Sequence, residues 1–302
     1  MITILTKALC YIAIIVMGYV LRRRGFFGEE AFPVLSSLVI KVTLPATIIA
    51  SAAGRTIDRS MLMLPLLGLG GGILYIIIAA CIHARHPKEV RAFAALNTPG
   101  YNIGTFALPF TQSFLGPIGV ATTSLFDVGN ACICLGGAYG VAATIKAGEG
   151  FQVRRILRAL VTSIPLLAHI ITVTMNLLYI PIPDPVVSLA KIIGDANPFL
   201  AMLMIGVGFN LSAKRSQLGA LARILIPRYV LGAILAAAFY FLLPLDLKVR
   251  QTLVILALAP MGSAAPGFTA ELKEDVGLSS AITSISIVIS IVIIVTLLVV
   301  ML

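Results

Sequence analysis

The 302-residue chain is predicted to be an all-α polytopic membrane protein, with about ten transmembrane helices in a 5+5 inverted repeat and two broken helices that cross. Three observations carry this expectation. The composition is 59% hydrophobic and only 11% charged, with a mean hydropathy of +1.06, whereas a soluble domain carries about 25% charged residues. About ten apolar stretches succeed one another, each near the roughly 20 residues a helix needs to cross the hydrocarbon core. Gly/Pro interruptions recur at matching places in the two halves. So little charge cannot cover a soluble fold, which excludes a soluble enzyme, a nucleic-acid binder and a disordered chain.

The expected spans are 2–21, 33–52, 61–82, 89–112, 117–145, 156–179, 185–210, 219–243, 249–270 and 277–302. Ten spans use roughly 200 residues, leaving too few for a separate extramembrane domain. No phosphate-binding loop appears, so ATP is not expected to drive anything here. Arg22, Arg23 and Arg24 come after the first span rather than before it. A secretory signal has the reverse order, so the segment is expected to remain with its N-terminus outside.

The net charge of +10 is read as loop charge rather than a nucleic-acid surface. Fourteen basic residues fall on one set of alternating loops, from Arg22 through Lys214 to Lys273. Five (Lys7, Arg55, Arg59, Lys248, Arg250) fall on the other, and Lys41, Lys191 and Arg228 lie inside spans. Lys and Arg accumulate in cytoplasmic loops, which places both termini outside the cytoplasmic membrane. Cys10, Cys81, Cys132 and Cys134 lie in or at the ends of apolar spans and behave as small hydrophobes. His83 and His86 sit in a basic loop and are expected to be solvated. No cofactor or metal site is expected.

The basic stretch 146–158 divides the spans five and five, giving halves at 1–148 and 149–302. Because five is odd, the second half enters from the opposite side. The second and seventh spans carry Leu44-Pro45-Ala46 and Asn197-Pro198-Phe199; the fourth and ninth are interrupted at 97–104 and 260–267. Inverted halves with broken helices in corresponding positions are the best sequence pointer to a secondary transporter.

Unwound backbone inside a membrane is tolerated only where it lines protein or a wet cavity. Each break also leaves a half-helix N-terminus with free N–H donors and about half a positive charge. Two such breaks near the midplane make a cradle suited to a carboxylate. Candidate binding residues are therefore Asn97, Pro99, Gly100, Tyr101, Asn102, Pro260, Gly262, Ser263 and Pro266, with hydroxyls from Thr98 and Thr105 beside them. Lys41, too deep to snorkel, is a candidate anion partner. Lys191 and Asp195, four apart, are expected to pair. Arg228 is placed near the cytoplasmic end of its span, where it can snorkel. Asp127 lies about ten residues into the fifth span, and an intramembrane acid needs water, a partner or a proton. It shares a polar stripe with Ser124, Asn130 and Cys134, so Asp127 and Asn130 are candidates for proton or Na⁺ coupling.

Together these residues carry a likeness. The chain resembles the auxin efflux carrier family, which includes bacterial dicarboxylate permeases and the PIN-type auxin exporters. The resemblance runs through Gly18-Tyr19 and the 22–25 stretch, Leu44-Pro45-Ala46, the 97–104 crossover, the 198–208 run, and Ala259-Pro260 with Pro266-Gly267. It implies a fold like that of the bile-acid symporters and NhaA-like antiporters. Spans one, two, six and seven would form a scaffold, a homodimer by resemblance. The remaining spans would form an elevator-like unit moving a small organic anion, with crossover positions at Asn97, Pro99, Asn102, Pro260 and Pro266. Bile-acid symporters bind Na⁺ through a carboxylate in the ninth span; here no acid precedes Glu271, which weakens Na⁺ symport. The long central loop of PIN-type proteins is also missing. The expected function is a secondary transporter or facilitator of a small carboxylate, proton-linked or not. The alternatives are a non-transporting ligand sensor on the same scaffold and a Na⁺-coupled organic-acid symporter. Enzymes are disfavoured because no nucleophile, metalloprotease or paired-carboxylate motif is present.

Overall fold

The structure is a computed structural model that describes residues 2–53, 59–148, 153–210 and 215–302. Arg55, Lys214, Met1 and the start of the second half at 149 lie outside the described residues. The described residues form helices and no strand. Among the described residues seven helices are long and apolar enough to cross a membrane, eight if one bent pair counts as a span. The difference from ten lies at the interrupted segments and at one sharp turn.

The first half begins with α1 (Ile2–Arg23) and α2 (Ala31–Leu38). A π-turn over Val39–Thr43 joins α2 to α3 (Leu44–Ala52), where Pro45 occupies the first turn. Proline has no N–H to continue the helical ladder, and the π-turn immediately before it is where that ladder changes register. After α4 (Leu64–Ile82), α5 (Lys88–Asn97) stops at Pro99 and Gly100, whose φ of +82° is the left-handed conformation that glycine adopts without strain. The helix resumes through a π-turn at Ile103–Ala107 into α6 (Leu108–Cys132). The helical run Ile103–Ala147, ending in α7 (Ala138–Ala147), has 45 residues. At 1.5 Å per residue it would be about twice as long as the hydrocarbon core is thick. It turns at Gly116 (φ 65°, ψ −153°) just before Pro117, which separates two legs where the fourth and fifth spans were expected to part.

The second half opens with a correction. The segment 156–179, expected as one span, is two helices, α8 (Val153–Thr162) and α9 (Ile164–Leu177), bent by 71°. The physical reason is local: the Ser163 side chain accepts from the Leu166 N–H and starts a new helix, and Pro165 has no N–H to continue the old one. Then come α10 (Asp184–Asp195) and α11 (Asn197–Gly208), with Pro198 in the first turn of α11, and α12 (Leu218–Leu242). Next, α13 (Leu247–Ala257) ends short of Pro260 and α14 (Ala265–Glu271) restarts with Pro266 in its first turn. The long α15 (Val276–Met301) closes the chain, its N-terminus capped by Asp275.

Packing sorts these helices into two groups. In one, α1 packs on α11, α2 on α11, and α3 on α9 and α10. The Thr43 hydroxyl donates to Asn197 Oδ1 at 2.9 Å and Thr47 to the Gly194 carbonyl at 3.1 Å, beside the two proline-started helices. In the other group α4 packs on α6, α5 on α7, α13 on α6 and α12, and α14 on α15 and α5. The α4–α6 contact is as close as backbones allow: a Cβ on Gly129 would stand 1.8 Å from the Pro65 carbonyl oxygen. Small residues at such crossings let van der Waals packing replace the hydrophobic effect, which does little between helices already in lipid. The groups meet where α3, α9 and α11 touch α6 and where α1 touches α15.

Candidate functional site

The two breaks lie against each other. The Asn102 N–H donates to the Pro260 carbonyl at 2.8 Å, linking the unwound residues after α5 to those after α13. Ending a helix orphans its last carbonyls, which form the negative pole of the helix dipole. Here the carbonyls of residues just past the ends of α5 and α13 converge on Arg228 of α12. Its guanidinium donates to Thr98 O at 2.6 Å, Gly100 O at 2.8 Å, Ala259 O at 3.1 Å and Pro260 O at 3.2 Å. It also lies 4.8 Å over the Tyr75 ring, while the Tyr75 hydroxyl donates to the Arg228 carbonyl at 3.2 Å. Arg228 is 1% exposed, so the expectation that it snorkels is corrected. Satisfying four carbonyls from two chain segments needs several donors in one plane, which arginine has and lysine lacks.

With the carbonyl ends occupied by Arg228, the opposite ends of the breaks border two cavities. The larger, about 510 Å³, is lined by Asn102, Ser263, Ala264 and Pro266 on one side and by α11 residues with Arg22 and Glu29 on the other. Arg22 donates to the Val207 carbonyl at 2.9 Å at the end of α11. The smaller, about 160 Å³, is bordered by Asn102, Gly262, Ser263, Asp127, Asn130 and His169. Asn102, Ser263 and Ala264 belong to both. Thr105 donates to Asn102 Oδ1, which leaves the amide nitrogen of Asn102 without a partner among the described residues.

The polar stripe expected on the fifth span exists. Asn130 Nδ2 donates to Asp127 Oδ1 at 2.8 Å, and Cys134 Sγ approaches Asn130 Oδ1 at 3.3 Å. Asn130 also bonds both polar groups of one peptide residue: Oδ1 accepts from the Tyr101 N–H at 2.9 Å and Nδ2 donates to the Tyr101 carbonyl at 3.0 Å. It therefore replaces, from α6, the bonds that the broken helix forgoes.

The other expected site residues separate into those at the cavities and those that hold the crossing. Gly262, Ser263, Pro266 and Asn102 border cavities, whereas Pro99 and Gly100 belong to the turn behind them. Asn97, expected to bind substrate, instead ties helices together. It is 1% exposed, donates to Thr269 Oγ1 at 3.1 Å and accepts from Ser279 at 2.5 Å, joining α5 to α14 and α15. Tyr101 borders the smaller cavity, but its ring packs edge-on against Tyr75 and Phe126 with Arg228 over it, so it is a packing aromatic. Lys41, expected beside an anion, is exposed and lines neither cavity. Lys41 is the middle residue of the π-turn at Val39–Thr43, where the wider turn takes side chains out of the α-helical register. Lys191 pairs with Asp195 at 3.0 Å as the four-residue spacing implies. His83 is buried against the Ala79 carbonyl rather than solvated.

Two residues at the site escaped the sequence reading. Arg228 lies as far into its span as Lys41 does into its own, and depth alone marked it equally well. His169, 1% exposed with Nε2 unpartnered among the described residues, borders the Asp127 cavity from α9; a lone histidine in an apolar helix carries no motif. Among the described residues no cluster of three His, Cys, Asp or Glu side chains could hold a metal.

Comparison with known proteins agrees with this architecture. Residues 3–300 match the family described as "Membrane transport protein". A protein of Methanothermobacter thermautotrophicus named "Uncharacterized transporter" is 24% identical over 278 residues, covering 90% of each chain.

Proposed function

Since the chain belongs to the membrane transport protein family of auxin efflux carriers, we propose that it carries a small organic anion, a carboxylate, across the cytoplasmic membrane. The family makes it a multi-pass membrane protein with a small-molecule substrate. The observation that carries the carboxylate reading is the separation of poles at the crossing. Arg228 occupies the carbonyl side, and the helical turn beginning at Ile103, with Asn102 and Ser263, borders the cavity side. A ligand held at Asn102 and Ser263, which border both cavities, meets the Asn102 amide and, on the smaller-cavity side, the start of the helical turn at Ile103, a setting that favours negative charge.

The route across the membrane is an elevator-type alternation. The packing groups around α1, α3, α9, α10 and α11 on one hand, and α4 to α7 and α12 to α15 on the other, match a scaffold and a moving unit. In this reading the halves 1–148 and 149–302 are inverted repeats, both termini lie outside, and the scaffold dimerises.

Asp127 is the coupling residue. It borders the smaller cavity, which shares Asn102 and Ser263 with the larger one, so its ionised form repels a carboxylate held at those shared residues, and protonation removes that repulsion. Wild-type uptake is therefore expected to rise as pH falls. Asp127→Asn, a permanently neutral mimic, is expected to bind substrate and to show uptake that no longer varies with pH. Uptake by Asp127→Asn that keeps the wild-type pH profile removes Asp127 from coupling. Transport itself is tested with the purified protein in liposomes on a solid-supported membrane, offered mono- and dicarboxylates with and without Na⁺ at two pH values. A saturable current for a carboxylate supports the reading. Currents for cations or neutral solutes alone contradict it.

A further inference from the structure

The bend at Ser163 gives α8 a role that a spanning helix would not have. Ten residues make a helix of roughly 15 Å, and at 71° to α9 it advances only about 5 Å along that helix's direction. None of its residues is buried. Its side chains divide into three sectors. Ile156 packs toward Gly136 of the turn before α7, where a Cβ would meet it at 3.1 Å. Val153, Leu157 and Val161 form a neighbouring strip, 55–64% exposed. Arg154 and Arg158 come next, exposed and without a carboxylate partner among the described residues. Arg155 is the exception among the three arginines: it pairs with Glu271 of α14 and stacks 4.1 Å over Tyr139 of α7.

An apolar strip directly beside unpaired arginines, on a helix turned out of the spanning direction, matches a helix lying in the membrane interface. The apolar strip accounts for the lipid and the two free guanidiniums for its charge, since arginine recognises phosphate in a planar, two-pronged geometry. We infer that α8 is an interfacial binding site for anionic phospholipid, with Val153, Leu157 and Val161 in the acyl region and Arg154 and Arg158 on the headgroup phosphate. Through Arg155 and Glu271 this site is joined to α14, the short helix immediately after the second break, so the lipid sits one ion pair away from the crossing.

The chain contains no tryptophan, so one introduced at the strip reports its surroundings alone. Full-length Val161→Trp protein is reconstituted in mixed phosphatidylcholine and phosphatidylglycerol vesicles, with bromine on the acyl chains of one lipid or the other at equal mole fraction. Brominated phosphatidylglycerol is expected to quench the tryptophan about twofold more than brominated phosphatidylcholine, because arginines near an anionic surface concentrate that lipid. Arg154→Gln with Arg158→Gln in the same background removes the excess and keeps the common quenching, and Arg154→Lys with Arg158→Lys retains part of it. High salt reduces the excess in protein that carries both arginines, a measurement independent of the variants. Equal quenching by the two lipids, no quenching by either, or an excess that survives the glutamine pair or high salt overturns the proposal.

Discussion

Arg228→Met is expected to abolish carboxylate transport and to lower thermal stability more than any other single change at the crossing. The carbonyls of Thr98, Gly100 and Ala259 lose their Arg228 donor at once, and that of Pro260 keeps only the Asn102 N–H, in a place where water does not reach Arg228. Hydrogen bonds from a charged donor are worth about 1.5–3 kcal/mol each, so losing this set costs several kcal/mol. In a domain of 150–250 residues that lowers the melting temperature by roughly 10 °C. The negative poles of both breaks would also be left uncompensated behind the cradle, weakening any anion bound in front. Arg228→Lys keeps the charge but not the planar set of donors, so it is expected to restore part of the stability and little of the flux. Melting curves and uptake per folded molecule, measured side by side, separate the effects. A methionine variant with wild-type melting and flux would show that the carbonyls find other partners.

The second large effect is expected at Asn130. Asn130→Ala removes both bonds to the Tyr101 peptide and the bond to Asp127. Leaving buried polar groups unpaired costs about 1–3 kcal/mol each, and the unwound turn at 98–102 loses its anchor on α6. Transport is expected to fall at least tenfold, with a smaller loss of stability than for Arg228→Met. Asn130→Asp is the discriminating companion. It keeps an acceptor for the Tyr101 N–H but loses the donor to the Tyr101 carbonyl and sets a second carboxylate beside Asp127. If Asn130 only glued helices together, the alanine variant would melt lower yet transport normally per folded molecule.

Much of this fold is legible in the sequence because its determinants are local. Pro99-Gly100 and Pro260 follow the ends of α5 and α13, and Gly116-Pro117 marks the turn within the 103–147 run. The apolar lengths and the pairing of Lys191 with Asp195 come from helix geometry alone. The partners that the breaks would find could not be read in the same way. Arg228 and Lys41 look alike in sequence, both single cations deep in apolar spans. Only the fold sets one among carbonyls 31 to 130 residues distant and turns the other outward. Asn97 and Asn102 likewise sit in one motif five residues apart, yet one binds neighbouring helices and the other borders both cavities. The bend at Ser163 was hidden for a different reason: hydropathy continues smoothly from 156 to 179, whereas the break depends on one hydroxyl cap and one proline.

The most direct test of the carboxylate cradle is counterflow of a radiolabelled carboxylate into proteoliposomes preloaded with the same unlabelled acid, comparing wild type with Asn102→Ala. Asn102 is the residue common to both cavities whose side-chain amide nitrogen has no partner among the described residues. Its removal is expected to raise the half-saturating concentration about tenfold, the equivalent of one lost hydrogen bond to a charged group, while the melting temperature stays close to wild type. Saturable counterflow with unchanged half-saturation in Asn102→Ala would contradict the cradle at the crossing. Absence of counterflow for every carboxylate, in protein that moves some other solute, would contradict the anion reading itself.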